Sequence, residues 1–362
     1  MNPRVKWWST SVGKEEVERI ALAISKGQVS QGAVTVEFET KLAEAIGASY
    51  AVVTTSGSVA LLLALWANGI GRDDEVIVPN RTFAATAHAA MILGAKIVLV
   101  DVVSDAPIID ATTIESAITP RTKAIMPVQL NGRSSDMRAI SALAKKHGLK
   151  VVEDAAQALF SKNADGFLGT QSDAGAYSLG MTKLLQTGQG GAVATNSKAV
   201  FEELKLLRNH GVGGDSFSVE YGRLGCNFKF TDIQAAIGVV QLGRMKERIQ
   251  RLNEIYRQYD AGIAGLSTVR MLPVNLSVGE VPLYVEVLSP TRAHFMSYLE
   301  GKGVETRKSL PSLHRSPHIS TKGGDFPCST LFEDQSMYLP CGPGQTTEGI
   351  AQVIEAVHAY RA

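Results

Sequence analysis

Short apolar runs and helix-like stretches alternate regularly through the first half of the chain. Runs of strand composition predict β-strands at residues 50–54, 75–79, 96–102, 123–128 and 150–153. Between them, apolar positions at helical spacing predict helices at residues 59–68, 83–93, 114–118 and 137–147. Strands that alternate with helices in this way are typical of crossover units. This half of the chain therefore predicts a mostly parallel sheet flanked by helices.

The alternation ends in the second half of the chain. Two strands close together are predicted at residues 174–179 and 191–195, with a glycine-rich segment between them. A long helix is predicted at 231–245, and its pattern continues in charged form through Arg257. A strand at 281–288 and helices at 292–302 and 347–360 follow it. We therefore expect an α/β protein with a large domain over residues 1–245 and a smaller C-terminal α/β domain over residues 246–362.

Composition narrows the class of protein without identifying it. The chain of 362 residues is 45% hydrophobic and 20% charged, as in ordinary globular proteins. Its 36 Lys and Arg residues nearly balance 35 Asp and Glu residues, so we expect neither nucleic acid nor a membrane as partner. Three cysteines without motif spacing indicate reduced thiols in a cytoplasmic protein. No segment has the apolar length of a signal peptide or a transmembrane helix.

Small polar residues follow the first predicted strand, at the edge where open α/β sheets bind ligands. Ser56, Gly57 and Ser58 begin the next helix. The free N–H groups and the dipole of a helix N-terminus favour an anion such as phosphate. An ordinary N-cap with a tight turn explains the same residues, and for this segment alone it is the better explanation.

Two ionisable residues follow later strands. Asp154 comes directly after the fifth strand, where a carboxylate would keep a pyridine nitrogen protonated, although a helix cap is an equal alternative. Lys183 follows the strand at 174–179 among apolar residues and glycines, whereas most lysines lie on solvated faces. Desolvation would leave a neutral, nucleophilic amine. Together these segments indicate an anion cradle, a partner for a ring nitrogen and an imine-forming lysine on one sheet edge.

Many segments of the chain match one family in order and spacing. They include TTSGSVALLLAL, VVEDAAQAL, YSLGMTKLLQTGQGG and GCNFKFTDIQAA. On these motifs the chain resembles the DegT/DnrJ/EryC1/StrS sugar aminotransferases. The resemblance covers nearly the whole chain and is strongest over residues 31–242. It implies the aspartate-aminotransferase fold, which is fold type I of the transferases that depend on pyridoxal 5′-phosphate (PLP).

The resemblance implies how the PLP phosphate would be bound. Ser56, Gly57 and Ser58 would form the phosphate loop, and Ser178 would add its hydroxyl. Asn227 would reach the phosphate of the neighbouring subunit's cofactor, which makes the protein a homodimer with shared active sites. The family's usual SGT is SGS in this chain. This difference keeps a hydroxyl and is expected to be harmless.

The resemblance also implies the residues around the pyridine ring. Phe83 would stack on the ring, Asp154 would pair with its nitrogen, and Gln157 would hydrogen-bond near its hydroxyl. Lys183 would hold the cofactor as a Schiff base. The family's histidine after the fourth strand is Gln129 here, which leaves open a change in what the site accepts.

The substrates are inferred from the same resemblance. We expect L-glutamate as the amino donor and a nucleotide-linked keto sugar as the acceptor. A diphosphate needs local positive charge, and Lys229, Arg307 and His314 are candidates, although a solvated loop explains them equally well. The seven histidines have no metal-type spacing, so no metal site is expected. The glycine-rich segments lack the G-x-G-x-x-G pattern, which argues against NAD.

The function implied is a ping-pong aminotransferase of amino-deoxysugar biosynthesis, for a surface polysaccharide or a glycosylated metabolite. Two alternatives remain open, an aminotransferase of a non-nucleotide ketone such as a cyclitol and a non-catalytic PLP-binding regulator. A sugar dehydratase is a third alternative. Members of the family with that activity replace the lysine by histidine, so Lys183 argues against it.

Overall fold

The computed structural model describes residues 4–213, 221–319 and 324–361. The elements of its first half are α1 (Lys14–Ser25), α2 (Ala33–Ile46), β1 (Tyr50–Thr54), α3 (Gly57–Ala67), β2 (Glu75–Pro79), α4 (Ala84–Ile92), β3 (Lys96–Val100), α5 (Ala111–Ser116), β4 (Thr122–Ile125), α6 (Met137–His147) and β5 (Lys150–Asp154). Those of its second half are β6 (Lys162–Asn163), β7 (Gly166–Phe167), β8 (Ala174–Ser178), β9 (Gly191–Thr195), α7 (Lys198–Arg208), α8 (Asp232–Gly243), α9 (Met245–Ile263), β10 (Arg270–Met271), β11 (Val285–Leu288), α10 (Arg292–Gly301), β12 (Arg307–Lys308), α11 (Pro327–Gln335), β13 (Ser336–Leu339) and α12 (Thr347–Ala359).

Seven strands form the central sheet, in the order β1-β9-β8-β5-β4-β2-β3. The strands from β8 to β3 pair in parallel, and β9 runs antiparallel to both β1 and β8. The prediction of a mostly parallel sheet is therefore confirmed. Every residue of β2 is buried, as expected for a strand covered on both faces of its sheet.

Helices cover both faces of this sheet. On one face, Leu61 and Leu63 of α3 and Leu204 of α7 pack with Val52 and Val76. Helix α3 is buried on nearly all sides because its residues 60–65 are all Ala or Leu. On the other face, α6 packs against the sheet with its own apolar residues. Truncating a leucine in either layer to alanine is expected to cost about 2–5 kcal/mol.

A second sheet lies in the C-terminal part of the chain. Its four strands are antiparallel, in the order β10-β11-β13-β12. The start of the chain joins this region, because Val5 pairs with Val304 and Trp8 pairs with Cys341. The division into domains of residues 1–245 and 246–362 stays a prediction.

The prediction of one long helix from residue 231 through Arg257 is wrong in one respect. The segment is two helices, α8 and α9, because Arg244 leaves the helical conformation with φ −98° and ψ 4°. The strand predicted at 281–288 pairs only over Val285–Leu288. Helices α1, α2, α7 and α11 were not predicted. Within the described ranges, no helix has the length and apolar character needed to cross a membrane.

Candidate active site

The carboxyl end of β1 leads directly into α3. The Ser56 side chain caps this helix by accepting a hydrogen bond from the Val59 N–H, at 3.2 Å. The first N–H groups of a helix, here those of Gly57 and Ser58, have no carbonyl partner within it. Ser178, at the end of β8, lies beside this turn. A Cβ atom on Gly57 would lie 2.8 Å from the Ser178 Cβ, so only glycine allows this close approach. The turn and Ser178 together form a cradle of donors that suits an anion.

The carboxyl end of β5 places Asp154 in the same region. The Asp154 carboxylate is buried, with Oδ2 accepting a hydrogen bond from the Thr86 hydroxyl at 2.7 Å and Oδ1 accepting from the Ala156 N–H at 3.1 Å. The Thr86 hydroxyl is also within 2.7 Å of the Thr82 hydroxyl. Burial raises the pKa of Asp154, while the hydrogen bonds from Thr86 and Ala156 and the Lys183 charge act in the opposite direction. The carboxylate is therefore desolvated and lacks a full counter-charge, which suits a cationic ring nitrogen.

Lys183 lies in the glycine-rich connection between β8 and β9. This connection is held by main-chain bonds from Lys183 to Gly180 and from Leu179 to Gly190. The Lys183 Nζ lies 5.9 Å from the centroid of the Tyr284 ring. The Tyr284 hydroxyl donates to the carbonyl of Thr182, at 3.1 Å. The lysine is thus directed towards a tyrosine that immediately precedes β11.

One cavity of about 510 Å³ joins these groups. Most of the residues predicted for the site line it, which are Ser56, Gly57, Ser58, Phe83, Asp154, Gln157, Ser178, Lys183 and Arg307. The roles that the resemblance implies for them stay predictions. The described residues contain no cluster of three or more His, Cys, Asp or Glu side chains that would hold a metal ion.

Three predicted residues lie outside this cavity in the described part of a single chain. Asn227 is exposed and pairs through its main chain with Asn209. Lys229 donates from Nζ to the Asn209 side chain, at 3.1 Å. His314 donates its main-chain N–H to the side chain of Asn80, at 2.9 Å, and its ring Nδ1 contacts the same side chain. The structure of one chain therefore does not bring these residues to Lys183.

Sequence reasoning missed several residues of the cavity wall. Trp7, Thr82, Tyr284 and Tyr338 all line it. The strand at 281–288 was predicted, but which of its side chains face the cavity depends on its pairing with β13 and on the distant N-terminal segment. Tyr284 lies within that predicted strand, and an aromatic residue in a strand gives no signal for a site.

Gln129 is placed differently from what its departure from the family pattern suggested. Its side chain is fully buried, donating from Nε2 to Glu153 at 2.9 Å and accepting from the Ser135 N–H at 2.8 Å. It does not line the cavity. Gln129 therefore supports the strand that carries Asp154, through its hydrogen bond to Glu153.

The fold places the chain among the PLP-dependent transferases of fold type I. The chain belongs to the DegT/DnrJ/EryC1/StrS aminotransferase family, whose sequence model matches residues 10–358. It is therefore an aminotransferase. GDP-perosamine synthase of Caulobacter vibrioides is 34% identical over 91% of this chain and 90% of its own length. The dTDP-3-amino-3,4,6-trideoxy-alpha-D-glucose transaminase of Streptomyces venezuelae is 33% identical over 99% of this chain and 96% of its own length. The crystal structure of S. venezuelae DesV matches with a TM-score of 0.94 and 32% identity, and all of both chains is covered.

Proposed function

We propose that this chain binds PLP in the cavity and transfers an amino group from L-glutamate to a nucleotide-linked keto sugar. The observation that carries the proposal is the convergence of an anion cradle, a buried carboxylate and a lysine on one cavity at the carboxyl ends of β1, β5 and β8. Each group is common by itself. Their combination fits a cofactor that has a phosphate, a basic ring nitrogen and a carbonyl.

The residues of the cavity fit this cofactor group by group. Gly57, Ser58 and Ser178 would hold its phosphate, since the close Gly57–Ser178 approach brings the Ser178 hydroxyl beside the N–H groups at the start of α3. Asp154 would pair with its ring nitrogen, because the carboxylate is buried and only partly compensated. Phe83 would cover its ring, and Gln157 would bind near its hydroxyl. When bound, PLP supplies an electrophilic carbonyl and an electron sink for a carbanion.

The chain's own residues would then move the protons. Lys183 Nζ would accept the proton from the α-carbon of the donor and, in the second half-reaction, return a proton to the carbonyl carbon of the acceptor. Lys183 is suited to both steps because it lies in the cavity and belongs to a loop fixed by main-chain hydrogen bonds. Asp154 would stabilise the positive charge on the ring nitrogen throughout.

The acceptor class is supported by the relatives and by the charge at the cavity wall. One relative is named for a GDP-linked sugar and another for a dTDP-linked sugar. Arg307 and Lys308 are exposed and line the cavity, so they present positive charge to a ligand that extends out of it. A diphosphate between the sugar and the nucleoside would be bound there. Lys229 and His314 do not line the cavity of one chain, so they are left out of this role.

We also infer a homodimer whose sites are shared. Phe83 and Met181 beside the cavity are 60% and 63% exposed, and Tyr221 and Leu224, shortly before Asn227, are 80% and 75% exposed. Large apolar side chains that are this exposed are typical of a surface that another chain covers. Cytoplasmic location is inferred from Cys226, Cys328 and Cys341, which are all free.

The test follows the cofactor by absorbance and by covalent trapping. The purified protein should have the visible absorbance of lysine-bound PLP, and L-glutamate should bleach it. Borohydride reduction followed by peptide mapping should label Lys183, and Lys183→Ala should abolish both label and turnover. A label on another lysine would refute the assignment. A band that glutamate does not bleach would support the non-catalytic regulator instead.

The acceptor is tested separately with a panel of keto sugars, both nucleotide-linked and free. Turnover restricted to nucleotide-linked sugars is expected. Activity on a free cyclitol ketone would overturn the proposed substrate class while leaving the aminotransferase intact.

A further inference from the structure

Trp7 lies at the cavity although it precedes the first helix of the chain. Nearby residues fix it to the C-terminal part of the chain, because Val5 pairs with Val304 and Trp8 pairs with Cys341. The Trp7 carbonyl also accepts a hydrogen bond from the Cys341 N–H, at 2.8 Å. Its ring lies 5.8 Å from that of Tyr284, which in turn lies next to Lys183. Tyr284 therefore contacts both the Trp7 indole and Lys183.

Trp7 contacts Arg307 in two ways. The Arg307 guanidinium carbon lies over the indole, 5.5 Å from its centroid, which is within the range of a cation–π contact. The Glu305 carboxylate joins the same two residues, since Oε1 lies 3.0 Å from Arg307 Nη2 and Oε2 accepts the main-chain N–H of Trp7 at 3.4 Å. The guanidinium is thus held between an aromatic face and a carboxylate that is itself tied to the tryptophan.

An exposed arginine needs such support if it is to bind an anion efficiently. The Arg307 side chain is 56% exposed, and a side chain of this length loses substantial rotamer entropy when it is immobilised. Contacts that order it before the ligand arrives lower the cost of binding. Across the strand, Arg307 is the register partner of Tyr338, another residue of the cavity wall, so the ordered guanidinium stays at the mouth of the cavity.

We propose that Trp7 is a positioning residue that orders the Arg307 guanidinium for the diphosphate of the acceptor. The inference rests on the proposed function, because it takes a nucleotide-linked acceptor as given. It assigns the N-terminal segment a part in acceptor affinity and none in the chemistry at Lys183. Trp7 acts through Arg307, so its contribution disappears when Arg307 is absent.

The test is a double-mutant cycle on nucleotide binding. The affinities of GDP and dTDP for the PLP-loaded enzyme are measured by calorimetry, which needs no turnover. Trp7→Ala and Trp7→Leu are expected to raise the Kd of the preferred nucleotide about two- to fivefold, the size of an exposed cation–π contact. Trp7→Phe keeps an aromatic face and should stay near wild type. Arg307→Ala should raise the Kd further, and adding Trp7→Ala to it should change nothing more.

The outcomes distinguish a failure of the role proposed for Trp7 from a failure of the proposed acceptor class. Additive losses in the double variant, or wild-type affinity in Trp7→Leu, would show that Trp7 does not act through Arg307. Thermal melting of each variant identifies loss of folding, and Trp7→Leu keeps apolar bulk if Trp7→Ala does not fold. If the wild type binds neither nucleotide, a GDP- or dTDP-linked acceptor is refuted and the role proposed for Trp7 with it. Bleaching by glutamate tests the aminotransferase independently.

Discussion

Asp154 is the buried ionisable side chain on which the proposed chemistry depends. Its position follows from local sequence, since it ends a buried parallel strand. The Thr86 hydroxyl, on helix α4, donates a hydrogen bond that positions the carboxylate without neutralising it. Because burial raises the pKa of Asp154, the folded state binds its proton more readily than the unfolded chain does. The ionised carboxylate therefore costs stability at neutral pH, and the cost disappears as the pH falls towards the ordinary range of an aspartate.

Asp154→Asn is expected to separate stability from function. The variant should lose at least about tenfold in turnover, since a charge-assisted bond of roughly 1.5–3 kcal/mol to the ring nitrogen is removed. In the cofactor-free protein it should raise the Tm at neutral pH, and the gain should shrink at acidic pH because both side chains are then neutral. Turnover and pH-dependent melting check the two effects.

Thr86→Val is the matched control for this prediction, because it removes the hydrogen bond and keeps the carboxylate. It should lose less activity than Asp154→Asn. Near-wild-type turnover in Asp154→Asn would show that Asp154 only stabilises the turn after β5, where it accepts the Ala156 N–H.

The helices and strands differ in how well their local pattern predicts them. Strands β1, β2 and β5 and helices α3 and α6 have strong apolar patterns and were predicted nearly to their ends. Helix α2 has apolar Val34, Phe38, Leu42 and Ile46 at four-residue spacing, a signal that would have predicted it. Strands β10 and β12 are two residues long and are defined by pairing with distant strands. No local pattern predicts such elements.

The same division holds for the candidate site. Ser56, Asp154 and Lys183 follow strands that the pattern predicts, so their meeting at one sheet edge followed from the rule for parallel sheets. Trp7 and Tyr338 reach the cavity only through pairings between segments far apart in sequence. Asn227 lies outside the cavity of one chain, so the contact that the resemblance implies for it would need a second chain. The first group could be predicted from the residues, whereas the other residues depend on tertiary and quaternary structure.

Asp232 links helices α8 and α2, so its substitution tests how much this link stabilises the fold. Its carboxylate, at the start of α8, accepts hydrogen bonds from the N–H groups of Gly32, Val34 and Thr35 and from the Thr35 hydroxyl, at 2.6–3.3 Å. It thereby caps the N-terminus of α2 from another helix. Asp232→Ala should lower the free energy of unfolding by about 2–4 kcal/mol, because several buried donors lose a charged acceptor. Urea denaturation measures this loss.

Ser197→Ala is the comparison for Asp232→Ala. Ser197 caps α7 locally by accepting one hydrogen bond from the Val200 N–H. Loss of this bond should lower the free energy of unfolding by only about 1 kcal/mol. Equal losses in the two variants would contradict the special role of Asp232.

The whole molecule presents a cavity that one chain leaves open on one side. Phe83 and Met181 are exposed beside Lys183 and have the apolar character of interface residues. Asn227 is exposed and lies outside the cavity of its own chain. The positions of these residues are accounted for together if a second copy of the chain covers the cavity and supplies Asn227 to it. Such an exchange is symmetric, so every dimer would contain two sites, each built from both chains.

Mixing two inactive variants tests this shared site. Lys183→Ala chains still supply Asn227 to a neighbour, and Asn227→Ala chains still carry Lys183, so a mixed dimer has one complete site. Random reassociation makes half of the dimers mixed, and the mixture should therefore regain about a quarter of the wild-type activity. A glutamate-dependent turnover assay measures this gain. Mixed dimers isolated over two affinity tags after co-expression should have about half of the wild-type activity, because one of their two sites is complete. Each variant reassociated with itself is the control and should stay inactive. Full activity of Asn227→Ala alone, or an active monomer in sedimentation, would show that each chain completes its own site.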